Sequence, residues 1–180
     1  MHTSSPDSAL LGIYLNDHLA GAIAGTELAK RVAESDRDPS GVLGKLAHEI
    51  ADDRAALLTV MAALDIPVRR YKAVAAWAAE KAARFKPNGR LVSRSPLSRV
   101  VEFEALRLGV EGKAAGWRTL RVRADRDPRI DAGRLDDLLE RARRQIDEIE
   151  ELRAHAAAEA FGGDAQPAKP SDLGGATWTP

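Results

Sequence analysis

Cysteine is absent from the 180 residues, which removes disulfides, thiolate metal sites and cysteine nucleophiles together and fits a reducing compartment. Aromatic residues make up only 4 % of a chain that is 44 % hydrophobic. Alanine and leucine must then fill the core, a composition that favours closely approaching helices over strands. No apolar run reaches the roughly 18 residues of a membrane span. The opening MHTSSPDSALLGIYL lacks a basic start and runs into Asn16-Asp17-His18 instead of a small-residue cleavage site. The expected location is therefore the cytoplasm, with no membrane partner. Net charge is absent too, with 27 basic and 27 acidic residues, so no global field recruits a polyanion. Neither a Gly-x-Ser-x-Gly turn nor a phosphate loop occurs, and no serine has a histidine in a recognisable order, so no catalytic residue is assigned.

What is present is helical periodicity. Ser8 to Ser35 carries Leu11, Leu15, His18, Ala22, Gly25, Ala29 and Val32 at the spacing of one helix face. After SDRDPSG, a second helix is expected from about Gly41 to Asp65, with Leu43, Leu46, Ile50, Asp53, Leu57, Val60 and Leu64 on its seam. A shorter amphipathic helix with Tyr71, Val74, Ala78, Ala82 and Phe85 follows, stopped by Pro87-Asn88-Gly89. Ser95-Pro96 reads as N-cap and first turn of a helix to about Ala124, with Phe103, Leu106, Val110, Ala114, Trp117 and Leu120 inward. The last helix, about Ile130 to Phe161, turns Leu135, Leu138, Ala142, Gln145, Ile149, Leu152 and Ala156 inward. On its outer face Asp137 is expected to pair with Arg141 and Glu140 with Arg144. The small residues of GAIAG, 21 to 25, lie within the first helix and are expected to let a neighbouring helix approach closely.

An internal repeat organises these elements. DRDPSGVLGKL at 36–46 and DRDPRIDAGRL at 125–135 share DRDP, a glycine, a basic residue and a leucine at a constant offset of 89. Each copy joins two long helices, which suggests two related hairpins. The expected division is a loose N-terminus (1–7), a bundle domain (8–161) made of hairpin 8–65, crossover 66–94 and hairpin 95–161, and a Pro/Gly-rich tail (162–180). A helix of 25 to 30 residues is about 40 Å long, a distance the crossover can span. A simple up-and-down order with residues 69–86 as a fifth bundle helix ranks second, because that helix is much shorter than its neighbours.

In the order and length of its helices, from residue 8 to 160, the chain resembles the ferritin-like superfamily. The resemblance implies an all-α, antiparallel four-helix bundle with a long crossover, here carrying an extra amphipathic helix. The family's dimetal sites use a Glu on the first and third helices and Glu-x-x-His on the second and fourth. Glu-x-x-His occurs nowhere in this chain; the nearest fragments are His48-Glu49 with Asp52, and Glu151 with His155. Fold, and not iron chemistry, is what the resemblance carries, and no cofactor is expected.

Two site readings remain besides a plain scaffold. His18, Asp53, Glu104 and Glu111 lie on or beside apolar stripes, and imidazole with carboxylates suits iron, manganese or zinc. The repeat argues against a symmetric site, because the offset maps His18 onto Arg107 and Asp53 onto Ala142. The favoured reading makes His18 and Asp53 a polar layer that fixes helix register, bonded to each other, to a glutamate or to Arg107, with Asn16 and Asp17 turned to a flank of the helix. The second site is basic. Residues 69–99 hold nine basic side chains and one acidic, among them Arg69, Arg70, Lys72, Lys81, Arg84, Lys86 and Arg90, interleaved with Tyr71, Trp77 and Phe85. That mixture suits phosphates and stacked bases, although complementarity to the acidic helices of the same protein is the preferred reading. His48 and Asp52 are expected in solvent. Trp178, in the polar tail, is left wet or docked. The expected function is non-catalytic binding or assembly, as a homo-oligomer or with a protein partner.

Overall fold

Alanine- and leucine-rich stretches with few helix breakers become long helices. The computed structural model describes residues 6–35, 40–69 and 96–162, and within them the chain forms four α-helices and no strand. They are α1 (Pro6–Ser35), α2 (Val42–Ala63), α3 (Pro96–Ala124) and α4 (Ala132–Phe161), each within two residues of the expected bounds. The amphipathic helix expected around Tyr71 to Phe85 and the tail with Trp178 lie outside the described residues.

Helix ends follow local chemistry. Gly41, at φ 73, takes the left-handed conformation that precedes α2, a geometry open to a residue without Cβ. At the other end Ile66 N–H donates to Met61 O at 2.9 Å and Asp65 N–H to Ala62 O at 3.1 Å. These two bonds make the paired closure of a Schellman motif, with a non-glycine residue, Asp65 at φ 56, in its left-handed position. Asp131 caps α4 by accepting from Arg134 N–H at 3.0 Å. In the α3–α4 turn Asp127 accepts from Arg129 Nε at 2.9 Å and Nη2 at 2.8 Å. Those bonds hold its carboxyl down at about 2.

Contacts between the helices fix their directions. Tyr14 Oη lies 3.0 Å from Thr119 Oγ1, and one turn further along α1 His18 lies against Gly116, so α1 and α3 run antiparallel. Arg121 pairs with Asp136, Arg107 with Glu150 and Arg99 with Glu159, making α3 and α4 antiparallel. Asp53 with Arg141 and Lys45 with Glu148 do the same for α2 and α4. It follows that α2 and α3 point the same way, and that α2 ends at the opposite end of the bundle from the start of α3. One core joins all four: Leu15, Met61, Phe103, Leu120, Leu138 and Ile149 are fully buried. Truncating a ring such as Phe103 to alanine costs about 3–5 kcal/mol through lost burial and the cavity left behind.

The segment Asn16-Asp17-His18 corrects one expectation. Asn16 is buried and not set aside on a flank of the helix. Its Nδ2 donates to Gly12 O at 2.7 Å and Pro67 O at 3.2 Å, and its Oδ1 accepts from Arg69 N–H at 2.9 Å. Asn16 thus ties the chain leaving α2 onto α1 and satisfies backbone groups that no helix serves. Arg141 is a second correction: it turns inward to Asp53 instead of bonding Asp137 across the surface. Glu140 and Arg144 do pair outside, 3.9 Å apart.

Candidate binding cavity

Spacings of three and four residues place Tyr14, His18, Gly21 and Gly25 on one face of α1, and Gly109, Gly112 and Gly116 on one face of α3. These faces meet, and between them lies a cavity of about 400 Å³, within the range of ligand sites. Its inner wall is apolar, formed by Leu57, Leu106, Val110, Trp117 and Leu120 with Ile50. Gly21, Gly109 and Gly112 are exposed and Gly25 is half-buried, so the glycines rim an opening to solvent.

GAIAG was expected to bring two helices together, and the structure reverses that. A Cβ built on Gly21, Gly25, Gly109 or Gly112 meets no atom within 4 Å. The space is empty, and each helix-interior glycine costs about 1 kcal/mol relative to alanine. Close approach occurs instead at Gly116, where a Cβ would stand 3.0 Å from His18 Nδ1. His18 lies across that gap with its ring edge-on to Tyr14, centroids 4.4 Å apart. Half-burial lowers its pKa below 6.5, against a smaller upward pull from Asp17, so the imidazole is neutral near pH 7.

Beside the cavity, α2, α3 and α4 share a buried polar network. Asp53, only 1 % exposed, lies 2.5 Å from Lys113 Nζ through Oδ2 and 3.0 Å from Arg141 Nε through Oδ1. The first contact is a hydrogen bond; the second misses hydrogen-bond geometry and acts through charge. Gln145 Oε1 accepts from Lys113 at 2.5 Å, and its Nε2 donates to Glu49 at 3.0 Å and Asp53 at 3.4 Å. Burial pushes the Lys113 pKa down, while the Asp53 charge opposes the shift. Of the polar layer expected from His18 and Asp53, only Asp53 belongs to this network. Asp53 bonds neither His18 nor Arg107, and Arg107 pairs with Glu150 at 3.3 Å.

Of the four metal candidates, His18 and Asp53 both line the cavity, whereas Glu104 is exposed and Glu111, half-buried, is not part of its wall. Among the described residues no three His, Asp or Glu side chains form a group able to hold an ion. Asp53 already faces two cations, which would repel a third. The donor set does not fit the dimetal group that the ferritin-like resemblance brings with it. In the basic segment Arg69 and Arg99 are described: Arg69 is exposed, and Arg99 pairs with Glu159 on α4. Arg70, Lys72, Lys81, Arg84, Lys86 and Arg90 lie outside the described residues. His48 and Asp52 are solvent-facing and 3.6 Å apart.

Sequence reasoning missed Lys113, Arg141 and Arg54. Arg54 lines the cavity, half-buried, with Nε shielded from water and no hydrogen-bond partner. A charged residue one place from Asp53 on the α2 seam was the available signal. Among the described residues, fold and site together define an all-α bundle of four helices with a solvent-opening internal cavity, and no helix there is long and apolar enough to cross a membrane. No family model, curated protein or solved structure matches the chain.

Proposed function

We propose that this chain is a non-catalytic binding protein on a ferritin-like bundle, and that its ligand is a small, largely apolar molecule held between α1 and α3. One observation carries the reading: glycines rim an apolar cavity at positions where alanine would be accommodated without contact and would favour the helix. Four such residues forgo helix stability to keep a space open. Parallel α2 and α3, with their facing ends at opposite poles of the bundle, support the long-crossover topology of the ferritin-like group.

The test is titration with an uncharged apolar fluorophore, N-phenyl-1-naphthylamine. Saturable one-to-one binding is expected, lost in Gly25→Leu and in Gly112→Leu, with circular dichroism showing that both variants remain helical. Binding unchanged in both variants, or none to the folded parent, would remove the proposal.

Assembly has support of its own. Leu10 and Val122 are 67 % and 71 % exposed and border one shallow groove with Leu11 and Tyr14, an apolar surface that a second copy would cover. Sedimentation velocity is expected to show a dimer or larger species that Val122→Lys converts to monomer, and a monomeric parent would end this part of the reading. The cytoplasmic assignment rests on the sequence features alone.

A further inference from the structure

The chemistry of the ligand can be read from what the cavity wall leaves unsatisfied. Trp117 is 2 % exposed and forms part of the inner wall, yet its Nε1–H has no acceptor. A buried donor without a partner is destabilising, so a ligand acceptor that reached it would recover that loss. Arg54 adds a second donor: its Nε is buried without a hydrogen-bond partner, and among the described residues no carboxylate pairs with its guanidinium. The other charges around the space are accounted for. Asp53 sits between Lys113 and Arg141, and Gln145 takes a further Lys113 proton. His18 is half-buried against Tyr14 and Gly116. Asp17 is exposed at the rim. Two donors without partners, one of them cationic, thus belong to side chains that line an apolar volume, and among the described residues its inner-wall carboxylate, Asp53, is already paired with Lys113 and Arg141.

We propose, building on the binding role assigned above, that the cavity takes an aliphatic or aromatic monocarboxylic acid, its hydrocarbon body between the glycine-bearing faces of α1 and α3 and its acid group served by Arg54 and the Trp117 indole N–H. Guanidinium suits this task because its planar fork matches a carboxylate and stays charged at every relevant pH. Volume sets the size class. At the roughly 30 Å³ that one water occupies in the liquid, 400 Å³ corresponds to about a dozen non-hydrogen atoms, the size of decanoate.

The experiment displaces bound N-phenyl-1-naphthylamine with decanoate and, separately, with decanol, at a pH near 8 where the acid is ionised. Decanoate is expected to displace the fluorophore at least tenfold more effectively than decanol. Arg54→Gln is expected to abolish that preference, decanoate then displacing the fluorophore no better than decanol. Trp117→Phe, which keeps the ring and removes the donor, is expected to weaken decanoate about tenfold, the loss of one charge-assisted hydrogen bond. Equal displacement by acid and alcohol, or an undiminished preference in Arg54→Gln, overturns the carboxylate assignment while the binding role stands. Failure of the fluorophore itself to bind the folded parent overturns both.

Discussion

Asp53→Ala removes the one carboxylate held between Lys113 and Arg141, whose side chains are 15 % and 16 % exposed. Both cations then stay largely out of water without a counter-charge, and Gln145 loses one acceptor. Breaking a buried pair in this way costs about 3–5 kcal/mol, mostly because the abandoned charge cannot be rehydrated. In a chain of this size each 1 kcal/mol moves Tm by about 2–4 °C, so the expected drop is about 6–20 °C. Urea unfolding followed by circular dichroism measures it directly. The double variant Asp53→Leu with Lys113→Met should regain part of the loss, because it removes the Lys113 charge along with its partner while Arg141 still lacks a counter-charge. Glu34→Ala is the internal control: it breaks the exposed Lys30–Glu34 pair, 3.8 Å apart, and should cost less than about 0.5 kcal/mol. An Asp53→Ala cost below about 1 kcal/mol, or a double variant worse than the single, would refute the argument that charge burial governs this layer.

Other perturbations test neighbouring steps. Gly109→Ala and Gly112→Ala should each raise stability by about 0.5–1 kcal/mol in urea unfolding, since their Cβ atoms meet nothing; a loss would mean that the glycines serve packing. His18, with its pKa lowered by burial, binds fewer protons folded than unfolded, so its contribution is complete above the ordinary pKa of 6.5 and declines as pH falls below it. That part of the pH profile should vanish in His18→Phe. Asp127, held down at about 2 by its Arg129 bonds, contributes stability that is present above about pH 4 and lost as pH falls toward 2; Asp127→Asn should flatten this acid limb. Asp65→Gly relieves a left-handed aspartate at φ 56 and should stabilise by up to about 1 kcal/mol, read as a small rise in Tm.

Much of the fold was legible because helix burial repeats with a period the sequence displays. On α3 the six expected inward positions, Phe103 to Leu120, are all buried, and on α2 only Val60 among the seven is half-buried. Leu46 and Leu135, equivalent in the repeat, are both buried near the starts of their helices. Partners were another matter. Lys113 and Arg141 look like surface residues in a pattern that scores charge as outward, yet long stems let them bury and still deliver a cation to Asp53. Asn16 was misplaced for a related reason: its role depends on the Pro67 carbonyl and the Arg69 N–H beyond the end of α2, which no periodicity within α1 reveals. Glycines were seen but read with the wrong sign, since spacing shows which face they share and not whether another atom fills the gap. For Arg54 the sequence offers only its place beside Asp53, which does not reveal that it lines a cavity.

The central claim is that an apolar ligand enters between α1 and α3, and glycine amides report on it directly because their resonances stand apart in a ¹⁵N-correlated spectrum. On titration with naphthalene, the amides of Gly21, Gly25, Gly109 and Gly112 should shift in a saturable manner while Gly44, exposed on α2 and outside the cavity wall, stays fixed. Unmoved cavity glycines, or a shift at Gly44 as large as theirs, would contradict it.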